Sequence, residues 1–238
     1  MDRFSFCASI AAFIALNGCA SSEGTKPHDM STAQHEVAAA KEQQAAEGHS
    51  AKYSPDARSK HENCPLRGRP CWTSVTNPTA GHSSDAAEHA ALASKHRAAA
   101  QALRDAESNA CVGIDPADQE TSPFYHREDI ASVSKAQIAA SDGQGLERTE
   151  FAGGRAVFRA IPGLTKEWLQ RLVNCHVARN AAAGFDMPEM NYCPLALKGI
   201  EAKVASVGDG FAIDVTSRDP AVAAEIWRRI EGLSKPSS

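Results

Sequence analysis

The sequence predicts an α+β protein: an alanine-rich helical hairpin followed by a small antiparallel sheet with helices on one face. Three observations predict it. Alanine dominates residues 33–110, and with aromatic residues at only 6% of the chain that half cannot build a thick core, so thin helical structure is expected there. From Asp129 onward, short apolar runs alternate with segments of helical spacing. Two of those runs flank Gly208-Asp209-Gly210, where Asp-Gly is a strong hairpin signal. The expected organisation is a hairpin over residues 31–112 and an α+β domain over 123–238.

The first helix is expected from Ser31 to Gly48. Ser31 and Gln34 have capping-box spacing, alanine fills the interior, and Gly48 is a natural stop. Its apolar face is only Val37 plus alanines, so it needs a partner helix. Tyr53 to Asn77 reads as a loop containing Pro55, Pro65, Pro70 and the pair Cys64/Cys71. The second helix starts either at Asn77-Pro78, an N-cap with proline after it, or at Asp85 with Glu88, and runs to about Ser108. Leu92 and Leu103 supply its apolar stripe, while Lys41, Glu42, Lys95 and Arg104 are expected to keep the outside solvated.

Histidine is conspicuous in this half. His82, His89 and His96 recur every seven residues, and His35 and His49 are fourteen apart. On one helix, seven residues return to the same face about 10.5 Å along the axis. That is a stripe rather than a ligand set, because helical zinc ligands usually sit at i, i+3 or i+4. The stripe is expected to be solvated or in contact with the other helix; a site shared between the two helices is the alternative.

In the second half, Ile130–Ala136 and Leu146–Phe151 are expected as short strands. Gly153-Gly154 reads as a turn leading into a strand from Ala156 to Ile161, which Pro162-Gly163 stops. Thr165 caps a helix to about Ala183, with Trp168, Leu169, Leu172, Val173 and Val177 at helical spacing and Gly184 ending it. Strands at 200–207 and 211–216 form the hairpin, and Asp219-Pro220 opens a last helix with Val222, Ile226, Trp227 and Ile230 inward before Gly232. The order β–α–β–β–α, preceded by one or two strands, is ferredoxin-like in outline.

The chain begins with a targeting pattern. Arg3 and the free amine, offset by Asp2, precede an apolar stretch from Phe4 to Leu16. That stretch is in the signal-peptide range and shorter than the roughly 20 residues that span a bilayer. It closes on Leu16-Asn17-Gly18-Cys19, which resembles the lipobox of bacterial lipoproteins: cysteine at +1, a small residue at −1 and a branched apolar residue at −3. Asn17 departs from the commoner Ala, Ser or Thr at −2. The resemblance implies removal of residues 1–18, lipid attachment at Cys19 through a diacylglyceryl thioether, and an acyl group such as palmitate on the new amino terminus. Two or more chains anchor stably. Ala20 at +2 implies the periplasmic face of the outer membrane, with residues 19–30 as a flexible tether. Ordinary secretion with cleavage elsewhere, for example after Ala20, is the alternative.

Of seven cysteines, Cys7 would leave with the signal peptide and Cys19 would be acylated. The remaining five, in an oxidising envelope, read as two disulfides and one leftover thiol. Neighbours in sequence suggest Cys64–Cys71 and Cys175–Cys193, with Cys111 odd; Cys64–Cys111 is an alternative. Cys175, His176, Met187, Met190 and Cys193 also form a soft-ligand constellation suited to copper or zinc. Against this stand the disulfide reading and the absence of Cys-x-x-Cys or repeated Met/His clusters. A Cys175–His176 catalytic dyad is disfavoured because neighbours on a helix diverge by about 100°; His126 would have to come in by the fold.

No nucleophile elbow, P-loop, dinucleotide fingerprint or outstanding carboxylate pair is present in the sequence. Net charge is −4 and unchanged without residues 1–18, leaving no footprint for nucleic acid. The sequence therefore points to a lipid-anchored, non-enzymatic binding or structural module of the envelope, partnered by the membrane and by another envelope protein. The alternative is an envelope protein that binds copper or zinc.

Overall fold

In the computed structural model, which describes residues 24–64, 70–141 and 147–234, helix α1 spans Thr32–Lys52. Its start is set by the reciprocal cap: Ser31 Oγ accepts the Gln34 N–H at 3.1 Å, and Gln34 Oε1 accepts the Ser31 N–H at 2.8 Å. Gly48 does not end it. A glycine inside a helix costs only about 1 kcal/mol relative to alanine, and α1 continues until Tyr53 N–H caps the His49 and Ser50 carbonyls. Val37 is 71% exposed, so it is not the packing face. His35, Ala39 and Ala46 are buried instead.

The segment expected as loop carries an antiparallel ribbon, β1 (Ser59–Asn63) and β2 (Trp72–Thr76), paired from Ser59↔Thr76 to Asn63↔Trp72. The Cys64–Cys71 disulfide lies at the end where the chain passes from one strand to the other, next to the pair Asn63↔Trp72. The signal was the β-branched run Thr73, Val75, Thr76, outvoted by the surrounding prolines. Helix α2 (Ala80–Ala110) uses the earlier of its two possible starts, with the Thr79 N–H donating to Asn77 Oδ1 at 2.8 Å just ahead of it. It lies antiparallel against α1. A further short helix, α3 (Pro116–Glu120), is capped by Asp115 and has no counterpart in the expectation.

The domain's sheet has four strands, β3 (Ile130–Ser141), β4 (Glu147–Phe158), β5 (Glu201–Val207) and β6 (Gly210–Thr216), all antiparallel in the order β3-β4-β6-β5. Gly153-Gly154 is not a turn. β4 runs straight through it, with Ala152 as an extra residue in a bulge between the pairs Ala136↔Gly153 and Gln137↔Phe151. The glycines serve close approach: a Cβ on Gly153 would lie 2.4 Å from the Val215 carbonyl, and one on Gly154 would lie 2.9 Å from Ile230. Glycine spacing thus marks where the last helix presses on the sheet. The β5–β6 turn centres on Gly208-Asp209, with Gly208 at φ +59° and Val207 paired to Gly210.

Helices α4 (Lys166–Ala182) and α5 (Pro220–Leu233) cover one face. Thr165 Oγ1 accepts the Trp168 N–H, and Asp219 caps α5 ahead of Pro220, as the sequence requires. The core joins Phe124, Phe158, Leu172, Val173, Leu195, Ile213, Ile226 and Ile230. The α+β class is as expected. The element order is ββαββα, the same cycle as the ferredoxin-like βαββαβ order entered one strand earlier.

Hairpin and domain are joined covalently and by packing. Cys111 at the end of α2 is bonded to Cys175 in the middle of α4. Arg179 reaches Glu107 at 4.0 Å and Glu120 at 2.7 Å. At the other helix, Ser31 touches the chain reversal at Gly184, where φ is +78° and a Cβ would lie 2.9 Å from Ser31. Residues 26–29, expected within the tether, form a 3₁₀ turn against α1 and α2.

Candidate functional site

The antiparallel α1–α2 register turns the histidine stripe into rungs. His35 meets His96, with their Nδ1 atoms 3.0 Å apart. Seven residues on, Glu42 Oε2 lies 2.6 Å from His89 Nδ1. Seven further, His49 Nδ1 lies 3.2 Å from His82 Nδ1. Each step of seven up α1 is matched by a step of seven down α2, as heptad packing of opposed helices requires. Small residues make this possible: Ala39, Ala46, Ala93, Ala99 and Ala100 are buried in the same seam, so the backbones approach closely, while Arg97 with Gln43 and Arg104 with Glu36 bridge the helices at its edge. Glu42, expected outside, points into the seam because its partner is there.

The rungs differ in exposure. His35 is fully buried and His96 is 7% exposed. His35 Nε2 donates towards the Lys26 and Pro27 carbonyls at 3.1 and 3.3 Å, so its Nδ1 must accept the Nδ1–H of His96. The 3₁₀ turn is held in this way. Burial, and then the charge of His35, push the His96 pKa below its ordinary value, while Glu42 opposes the shift. Nearer the ribbon, His49 is 28% exposed in its side chain and Asp85 49%.

Asp85 completes a cluster at that outer rung. Its Oδ2 lies 3.2 Å from His49 Nδ1, and the ligand atoms of His49, His82 and Asp85 all fall within 4.8 Å of one another. Ligands on a tetrahedral ion at about 2.05 Å stand about 3.3 Å apart. The two spacings from His49, 3.2 Å each, are close to that value. His89 adjoins the cluster, its ring centroid 5.4 Å from that of His49. The other acid–sulfur group, Glu62 with Cys64 and Cys71, has its sulfurs spent in a disulfide and offers no thiolate.

The soft-ligand constellation near α4 is taken apart by the fold. Cys175 bonds Cys111, not Cys193, because α2 crosses α4 there. Among the described residues Cys193 is the free cysteine, and Cys111 is not odd. Cys193 is fully buried, with Sγ 3.1 Å from Ser122 Oγ, and burial pushes its thiol pKa up. His176 is buried, its Nε2 donating to the Thr121 and Asp118 carbonyls at 2.9 and 3.2 Å, and burial lowers its pKa. These bonds hold the C-terminal end of α3. Met190 packs in the core and Met187 is half-buried against it. His126 is exposed and lies by Glu128, not by Cys175. Cys19 lies outside the described residues.

The open face of the sheet carries a polar row beside a mostly apolar one made by Ser132, Val157, Ala212 and Ala205. Ser134, Arg155, Asp214 and Lys203 form one row across the four strands, with Arg155 gripping Asp214 through two bonds of 2.6 and 2.7 Å. The rungs were half legible in sequence, through the heptad spacing of histidine. Glu42 and Asp85 were not, since a carboxylate on an alanine-rich helix looks like ordinary surface charge. Comparison with protein-family models, with curated proteins and with solved structures finds no match for this chain.

Proposed function

We propose that this is a lipid-anchored protein of the bacterial envelope, tethered through Cys19 on the periplasmic face of the outer membrane, and that it works as a non-enzymatic structural or binding module. The observation that carries the reading is the pairing of Cys111 with Cys175 beside that of Cys64 with Cys71. Structural disulfides persist in oxidising compartments and are rare in reducing ones, which agrees with the export pattern at the amino terminus. No helix among the described residues is long and apolar enough to cross a membrane. The hairpin is long: α1 alone has 21 residues, about 31 Å at 1.5 Å per residue, and the ribbon extends beyond it. Welded to the domain by one disulfide, it serves as a stiff arm between the domain and whatever meets the ribbon, where Trp72 is 58% exposed.

The test is metabolic labelling with palmitate in cells expressing the chain or its Cys19→Ser variant, combined with a thiol count. Label on the first only, with one thiol reactive after denaturation without reductant, is the expected result. An unlabelled chain in the cytosolic fraction with all seven cysteines reactive would overturn the proposal.

A further inference from the structure

We infer that His49, His82 and Asp85 form a site for a zinc-class divalent transition ion that staples the two hairpin helices together. Two histidines and one carboxylate supply a borderline-soft set of nitrogen and oxygen donors, which suits Zn(II), Co(II) or Ni(II) and does not suit Cu(I), since no thiolate or thioether belongs to the cluster. The three donors come from both helices: His49 from the last turn of α1, His82 and Asp85 from the first two turns of α2 at i, i+3. The i, i+3 pair is the helical spacing that a single ion accepts, and the facing histidine comes through the antiparallel register. Three protein ligands leave a fourth position for water.

The donors are already close together. His49 Nδ1 lies 3.2 Å from both its partners, close to the roughly 3.3 Å that a tetrahedral ion imposes. Without an ion the two imidazoles share one N–H between their Nδ1 atoms; with it, the donor of that pair moves its proton to Nε2, the tautomer its partner already has. Metal binding needs both imidazoles neutral, so affinity falls as the medium acidifies. Asp85 and Glu42, through His89, are the carboxylates that face this end of the seam from the two helices. Bound metal favours the paired over the separated helices and so raises stability by mass action. This inference does not rest on lipid attachment, and its test is independent of it.

The experiment uses the untagged full-length chain, purified in detergent and stripped with chelator, titrated with Co(II) and with Zn(II). One equivalent per chain is expected, with tetrahedral cobalt absorption in the visible range and an upward shift in melting temperature. Asp85→Asn, a half-exposed substitution that leaves the seam's packing intact, is expected to weaken binding by about tenfold or more; His49→Gln is expected to abolish it and the thermal shift together. His35→Gln, at the buried rung, is expected to bind as the parent does. Absence of stoichiometric binding, or equal affinity in parent, Asp85→Asn and His49→Gln, would overturn the assignment.

Discussion

The hairpin and the α+β domain bury their residues by opposite means. In the domain, large side chains interlock: Phe124 and Phe158 meet edge to face at 5.7 Å, and Ile213, Ile226 and Ile230 are fully buried beneath the helices. In the hairpin the buried set is His35, Ala39 and Ala46 on one helix, and Ala93, His96, Ala99, Ala100 and Leu103 on the other. A domain of the first kind is held by area removed from water. A seam of the second kind removes little apolar area, so its polar rungs decide register. The two regions should therefore fail in response to opposite changes.

Making a side chain smaller breaks the domain. Phe124→Ala removes a fully buried ring and is expected to cost about 3–5 kcal/mol. Urea unfolding followed by tryptophan fluorescence, which reports Trp168 and Trp227 in the core's second layer, should show the midpoint fall accordingly. An unchanged midpoint would mean that the ring is not part of the cooperative core.

Making a side chain larger breaks the hairpin. Ala93 is fully buried between close backbones, and Ala93→Leu is expected to cost about 1–3 kcal/mol through overpacking, although leucine is as good a helix former. Circular dichroism at the helical band should lose its high-temperature component before the tryptophan signal changes. A neutral result would mean that the helices have room to separate.

Acid sharpens the comparison further. The His96 pKa is lowered in the folded protein, so between its ordinary value near 6.5 and its depressed one the unfolded chain binds more protons. Its contribution to stability is present above about pH 6.5 and is lost as pH falls through the folded value. His96→Gln keeps a donor for His35 and removes the titration. In chelator-containing buffer, its stability should depend on pH less steeply than the parent's between about pH 7 and 5, by at most about 1.4 kcal/mol per pH unit for one proton. Identical slopes would exclude His96 as the titrating group; His176 in the domain, shifted the same way by burial, remains in both proteins.

Local signals carried over into the structure wherever a short stretch of backbone decided the outcome. The cap at Ser31 and Gln34, Thr165 before α4, Asp219-Pro220 before α5 and the turn at Gly208-Asp209 are all present. Each is a bond or a φ angle set by residues a few positions apart. Gly48 and Gly153-Gly154 misled for the same reason. Glycine signals freedom or closeness alike, and which applies depends on what packs against it.

For the candidate site, seven-residue histidine spacing announced one face of one helix. It took the opposed second helix to convert that face into pairs, and to draw Glu42 and Asp85 in as partners. Cysteine pairing was illegible for a related reason. Nearness in sequence brought Cys64 to Cys71, whereas Cys175 pairs across 64 residues with Cys111, because α2 crosses α4 at that point.

The amino-acid sequence by itself determined the class, the caps and turns, the alanine-rich hairpin and the heptad spacing of its histidines, since all of these follow from contacts within a turn or two of backbone. Only the tertiary structure decided which histidine faces which, which cysteine bonds which, and where the carboxylates turn inward. Those outcomes depend on how distant segments pack against one another, and no local preference encodes that arrangement.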